Sequence, residues 1–137
     1  MHKLKYMSRR GNKAKGSSAE RDLIKKFWEA GWAAMRAAGS GSTQYPCPDI
    51  VTGNRIKKIA IEVKFTSDTS KYFTKKEITE LLYFCEKLGT EPWVAVKFGK
   101  EDWFFFPIHD LEETGKNYVI TLEKAKIKGL LFEDVIK

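Results

Sequence analysis

The stretch that most constrains this chain runs from Pro48 to Lys64. It reads Pro48-Asp49-Ile50-Val51, then Gly53-Asn54, then Ile59-Ala60-Ile61-Glu62-Val63-Lys64. Successive side chains of a strand point to opposite faces. Glu62 and Lys64 therefore share a face, with Cα atoms roughly 6.6 Å apart. Ile59, Ile61 and Val63 point the other way, into a core. Gly53-Asn54 predicts a two-residue hairpin turn that folds Asp49 back beside the polar face. Carboxylates so placed are hard oxygen ligands suited to Mg²⁺, with Mn²⁺ able to substitute. A cation held by Asp49 and Glu62 can orient a water and neutralise phosphate charge. Lys64 beside them can position or deprotonate that water, or stabilise the transition state. Glu-x-Lys by itself is more often a surface strand of alternating charge; the Pro48-Asp49 step, the turn and the apolar opposite face bring the two readings level, so the rest of the chain has to decide.

Composition sets outer limits. The chain has 137 residues, 42% of them hydrophobic and 31% charged, which suits one soluble domain with one core. No apolar run approaches the ~20 residues of a membrane span, and no apolar stretch follows the basic N-terminus as a signal peptide requires. Cys47 and Cys85 are isolated and histidines are few, which disfavours a zinc site. Both cysteines read as reduced thiols of a cytoplasmic protein, a Cys47–Cys85 disulfide being the alternative.

The net charge of +7 is uneven. Lys3, Lys5, Arg9, Arg10, Lys13 and Lys15 fall in the first fifteen residues without an acid among them. Taking these six from 25 lysines and arginines leaves 19 against 18 acids, so the body is close to neutral. Residues 1–16 lack apolar periodicity and contain Gly11 and Gly16, which predicts a flexible basic arm ahead of a single domain over 17–137. Such an arm is either a solvated charge run or a phosphate-binding segment, with Arg9, Arg10, Lys13 and Lys15 as contacts.

Ser17 and Glu20 form a predicted capping box. Leu23, Ile24, Phe27 and Trp28 then give a helical stripe that Gly31 closes. Glu20 thus has a structural role available, and is also an acid able to face a metal. Residues 32–37 read as a strand, and 39–48 as a loop of small residues ahead of the acidic hairpin. Thr74 and Glu77 make a second capping box, for a helix over 75–88 capped by Gly89. Its core stripe is Ile78, Leu81, Leu82 and Cys85, and Phe84 and Leu88 widen the apolar face beyond what one sheet needs. Residues 93–98 and 103–106 read as strands, the second with bulk on both faces and both faces therefore covered. A short strand at 118–121 and a closing helix at 130–136 complete the chain. The order implies an α/β fold with a mixed central sheet of about five strands and a helix on each side.

Pro-Asp, a spacer and Glu-x-Lys resemble the signature of the PD-(D/E)xK nuclease superfamily. Four separated motifs narrow that likeness to the archaeal Holliday junction resolvases, the Hjc family. They are Ser18-Ala19-Glu20-Arg21, the run from Arg36 to Ser42, Pro46-Cys47-Pro48-Asp49-Ile50, and Ile61-Glu62-Val63-Lys64 followed by Tyr72 and the second helix. The resemblance covers roughly residues 16–98 and implies the restriction-endonuclease-like fold. It also implies an active site of Glu20, Asp49, Glu62 and Lys64, with Glu20 joining the metal ligands and Ser40 as the serine of a catalytic loop. Arg21 and Arg36 are implied to serve phosphate contacts or the integrity of the site, and Lys71 and Lys75 join the candidate DNA contacts.

The implied activity is Mg²⁺-dependent, paired, symmetric cutting of four-way DNA junctions and other branched DNA in recombination and repair. The implied enzyme is a homodimer, with replication or recombination proteins as possible partners and no membrane. A junction with two-fold symmetry needs two matched cuts, which a two-fold dimer supplies. Phe84, Leu88 and Phe104 are the candidate interface residues. A restriction or repair nuclease, and a non-catalytic junction-binding scaffold, stay open as alternatives.

Overall fold

A computed structural model describes residues 2–37 and 44–137, with side chains from Lys15 onward. Ser40 lies outside the described residues, as do the side chains of Arg9, Arg10 and Lys13.

Helix α1 (His2–Glu29) comes first, and Gly31 at φ +86° turns the chain out of it. The helix begins at His2 and not at Ser17, so the basic segment has a helical backbone where an irregular arm was expected. Missing apolar periodicity removes a packing signal from the sequence; it does not forbid a helix in a stretch rich in lysine and arginine. The Ser17 hydroxyl consequently caps nothing and accepts a hydrogen bond from Arg36 Nη2 at 3.5 Å.

Strands β1 (Ala33–Arg36), β2 (Ile50–Gly53) and β3 (Lys58–Thr66) form an antiparallel meander. The hairpin exists, but its turn is not the two-residue one. Gly53 pairs with Lys58, and residues 54–57 make the loop. Asn54 Oδ1 accepts the N–H groups of Ile56 and Lys57, both at 2.8 Å, so the asparagine builds the turn. The glycine serves a close approach: a Cβ on Gly53 would stand 2.7 Å from the Lys57 carbonyl oxygen.

After β3 come β4 (Ser70–Thr74), helix α2 (Lys75–Leu88), β5 (Glu91–Phe98) and β6 (Trp103–Pro107). The Thr74–Glu77 capping box and the Gly89 cap stand as expected. The main sheet has the order β1-β2-β3-β5-β6, with β3 and β5 parallel and the other pairs antiparallel. A parallel pair needs a long crossover, which β4 and α2 provide.

A second sheet, β4-β8-β7, adds β7 (Glu112–Thr114) and β8 (Asn117–Thr121). It was not expected, because residues 71–73 show no strand pattern of their own and β4 is defined by its pairing with β8. The short helices α3 (Leu122–Lys128) and α4 (Phe132–Val135) close the chain.

Each face of the main sheet has its own core. Leu23 and Phe27 of α1 and Val135 of α4 pack on one face with Ile50, Ile59, Ile61, Ala95 and Phe105. Ile78, Leu81 and Cys85 of α2 pack on the other with Ala60, Val94, Val96, Phe104, Phe106 and Ile120. Strands β5 and β6 therefore divide their side chains between the two cores. This overturns Phe104 as a candidate interface residue: it is 6% exposed inside the second core, and Leu130 pairs with Phe105 along the strand's free edge. Cys47 and Cys85 are both free thiols.

Candidate active site

Alternation along β3 places Glu62 and Lys64 on the same side as Ala60, beyond the end of the second core. Asp49 precedes Ile50 of the first core, so it falls on the side of Glu62. Register reinforces this, since Ile50 pairs with Ile61. Asp49 Oδ2 accepts the Val63 N–H at 2.9 Å, which fixes its carboxylate across the end of β3. Burial, then the charge and hydrogen bond of Asp49, push the Glu62 carboxyl up to about 9. Glu62 thus keeps a proton at neutral pH and shares it with Asp49.

Two half-buried carboxyl groups sharing one proton are a donor set that a hard cation can join in the proton's place. Mg²⁺ typically takes one or two carboxylates and completes its shell with water and phosphate oxygens, so this pair fits it. Among the described residues no group of three or more His, Cys, Asp or Glu converges on one point. Glu20 is the reason. It approaches from α1, on the opposite face of the sheet, and its Oε1 lies 3.6 Å from Arg36 Nε. Burial and the Asp49 charge raise the Glu20 carboxyl, and Arg36 pulls it back. Glu20 is therefore close enough to sense Asp49 while its contact is with Arg36.

Lys64 Nζ meets Glu77 Oε2 at 2.9 Å and lies 5.4 Å from the centre of the Phe73 ring. Sequence reasoning assigned Glu77 only to the helix cap. No short-range signal in the sequence links it to a lysine thirteen residues earlier; the β3–β4–α2 crossover does. Cys47 sits beside the acidic pair, and burial, then Asp49 and Glu62, raise its thiol.

The candidate DNA contacts divide. Lys15 and Arg21 are exposed and Lys71 is half-buried. Arg36 is committed to Glu20, and Lys75 is paired with Glu113. Lys75 is thus a neutralised cation, because β7 brings an acid beside the start of α2.

Beyond α2 the second face of the sheet is only partly covered among the described residues. Met35 and Val51, paired across β1 and β2, line an apolar groove of about 1200 Å³ with Trp28 and Leu88. Met35 is 65% and Leu88 58% exposed. Phe84, by contrast, is half-buried against the second core.

Residues 11–137 match a family model described as archaeal Holliday junction resolvase (Hjc). The chain is 42% identical over 129 residues to the crossover junction endodeoxyribonuclease Hjc of Archaeoglobus fulgidus, covering 89% of this chain and 95% of that one. It is 37% identical over 122 residues to the Hjc of Methanocaldococcus jannaschii, covering 89% and 86%. The solved structure of A. fulgidus Hjc, a Holliday junction resolvase, superposes with a TM-score of 0.82 at 41% identity, over 89% of this chain and all of that one.

Proposed function

Because the chain belongs to the archaeal Holliday junction resolvase family, we propose that it is a crossover junction endodeoxyribonuclease whose hydrolysis of the phosphodiester bond needs Mg²⁺. The observation that carries this reading is the contact between Asp49 and Glu62, with Lys64 two residues along the same face. Asp49 and Glu62 would hold the cation, which supplies charge neutralisation at the phosphate and an oriented water. Asp49 is kept in place by the Val63 N–H. Glu62, which holds a proton in the absence of metal, would give it up to ligate the cation. The Lys64 ammonium faces the developing negative charge on the phosphate. Arg36 is paired with Glu20, whose carboxyl senses the Asp49 charge, so both stay at the margin of the acidic pair.

A homodimer supplies the two sites that a two-fold junction requires. The groove of Trp28, Met35, Val51 and Leu88 supports this, since a bare apolar face of that size marks an interaction surface. Lys15, Arg21 and Lys71 serve the DNA backbone, where contacts are made without base readout.

The test is incubation of labelled four-way junction and linear duplex with the protein, with and without Mg²⁺. Paired cuts in the junction alone, only with metal, are expected. Asp49→Asn and Glu62→Gln should bind the junction and leave it uncut. Binding without cutting by the unmodified protein, or metal-dependent turnover by Asp49→Asn, overturns the assignment.

A further inference from the structure

Glu77 carries two loads that the sequence shows only singly. Its Oε1 accepts the Thr74 N–H at 2.9 Å and the Thr74 hydroxyl at 3.2 Å, closing the capping box of α2. Its Oε2 takes the Lys64 ammonium at 2.9 Å. The Thr74 hydroxyl in turn accepts the Glu77 N–H at 3.1 Å. Every rotor of the Glu77 side chain is thereby fixed from the helix end. The carboxylate becomes a rigid docking point for a lysine that otherwise has free torsions along four methylenes. The Phe73 ring supports the ammonium from the side, at 5.4 Å. Burial raises the Glu77 carboxyl, but the Thr74 N–H and Lys64 outweigh it, so Glu77 stays ionised as the role requires.

We infer that Glu77 is a positioning residue for cleavage: through its bond to Lys64 it transmits the fixed geometry of the α2 N-terminus to the ammonium at the acidic pair. The inference rests on the nuclease reading above. One ammonium hydrogen is spent on Glu77, and the other two remain for water and phosphate oxygen. The helix cap and the active site are then one hydrogen-bonded unit. A change at Glu77 acts on the chemical step and not on junction affinity.

The chemistry of the cap selects the test. In Glu77→Gln the amide oxygen must take the Oε1 position, because the Thr74 N–H and hydroxyl both donate there. The NH₂ group then faces the Lys64 ammonium, donor against donor. The cap survives and the lysine contact is lost. In Glu77→Ala both are lost. Single-turnover cleavage at saturating protein, junction affinity and melting temperature are measured for the wild type and both variants.

Loss of a supporting contact at such a site lowers activity by about 10- to 100-fold. That loss is expected to be the same in Glu77→Gln and Glu77→Ala, with junction affinity unchanged, while Glu77→Ala melts at the lower temperature. A wild-type rate in Glu77→Gln overturns the inference and leaves the nuclease reading standing. So does a rate that simply follows melting temperature across the variants. A wild-type protein that binds the junction and never cuts it overturns both.

Discussion

At the scale of single residues, the acidic pair is a site held in tension by burial. Glu62 retains its proton in the folded chain up to about 9, against 4.5 for an ordinary carboxyl. Between those values unfolding releases a proton, so the native state loses stability as pH rises through the window. Below 4.5 the group is protonated in both states, so the stability is at its full value and no longer changes with pH. Metal-free protein should therefore show a melting temperature that falls from pH 4.5 to about 9, and Glu62→Gln should flatten that fall. Adding Mg²⁺ should restore stability most at the alkaline end, where the pair is fully charged. Thermal melts in chelator across this range check the prediction; parallel curves for the two proteins would count against a proton held at Glu62.

At the scale of elements, α1 poses the sharpest question, because the first half of its sequence carries no apolar periodicity. Gly16 lies inside the helix, and a Cβ there would meet Phe65 Cβ at 3.5 Å, an ordinary contact. Alanine in a helix interior is worth about 0.5–1 kcal/mol over glycine. Gly16→Ala should raise the melting temperature accordingly if α1 continues through this position. No gain, or a loss, would place the start of the stable helix at Ser17. Helix α2 raises no such question, since its Thr74–Glu77 box and Gly89 cap are both local devices. The hairpin at Gly53 falls between. Its existence is encoded locally, but its loop length was settled by the pairing of Gly53 with Lys58 and by the Asn54 side chain.

At the scale of the whole molecule, the uneven cover of the sheet bears on the proposed dimer. Helix α1 spans one face, whereas on the other α2 leaves Met35 of β1 exposed and Val51 of β2 only partly covered among the described residues, where β1 is the outermost strand. Met35 and Leu88 are exposed, so charging them should spare the fold. Met35→Glu with Leu88→Glu should give monomers by sedimentation, and these should nick junctions once where the dimer cuts twice. Phe84→Glu is a poorer probe, because Phe84 packs against the second core and its loss would confound assembly with stability. A double variant that still sediments as a dimer would move the interface elsewhere.

The local rules acted through neighbours close in sequence. Alternation along 59–64 put Glu62 and Lys64 on one face, and the Pro48-Asp49 step set Asp49 beside them, as the bond from Val63 N–H bears out. Helical spacing and caps gave α2 to the residue. Decisions over longer reach were made by packing. The strand β4 exists through its pairing with β8, some fifty residues later. Phe104 turned inward because α3 and Leu130 arrive to cover β6. Glu20 met Arg36 in preference to the acidic pair because α1 lies on the opposite face of the sheet. Glu77 met Lys64 because the crossover returns α2 over β3. Side-chain periodicity is a property of adjacent residues and can be read in one dimension. Which charge finds which partner depends on how faces and elements are brought together, and only the tertiary fold decides it.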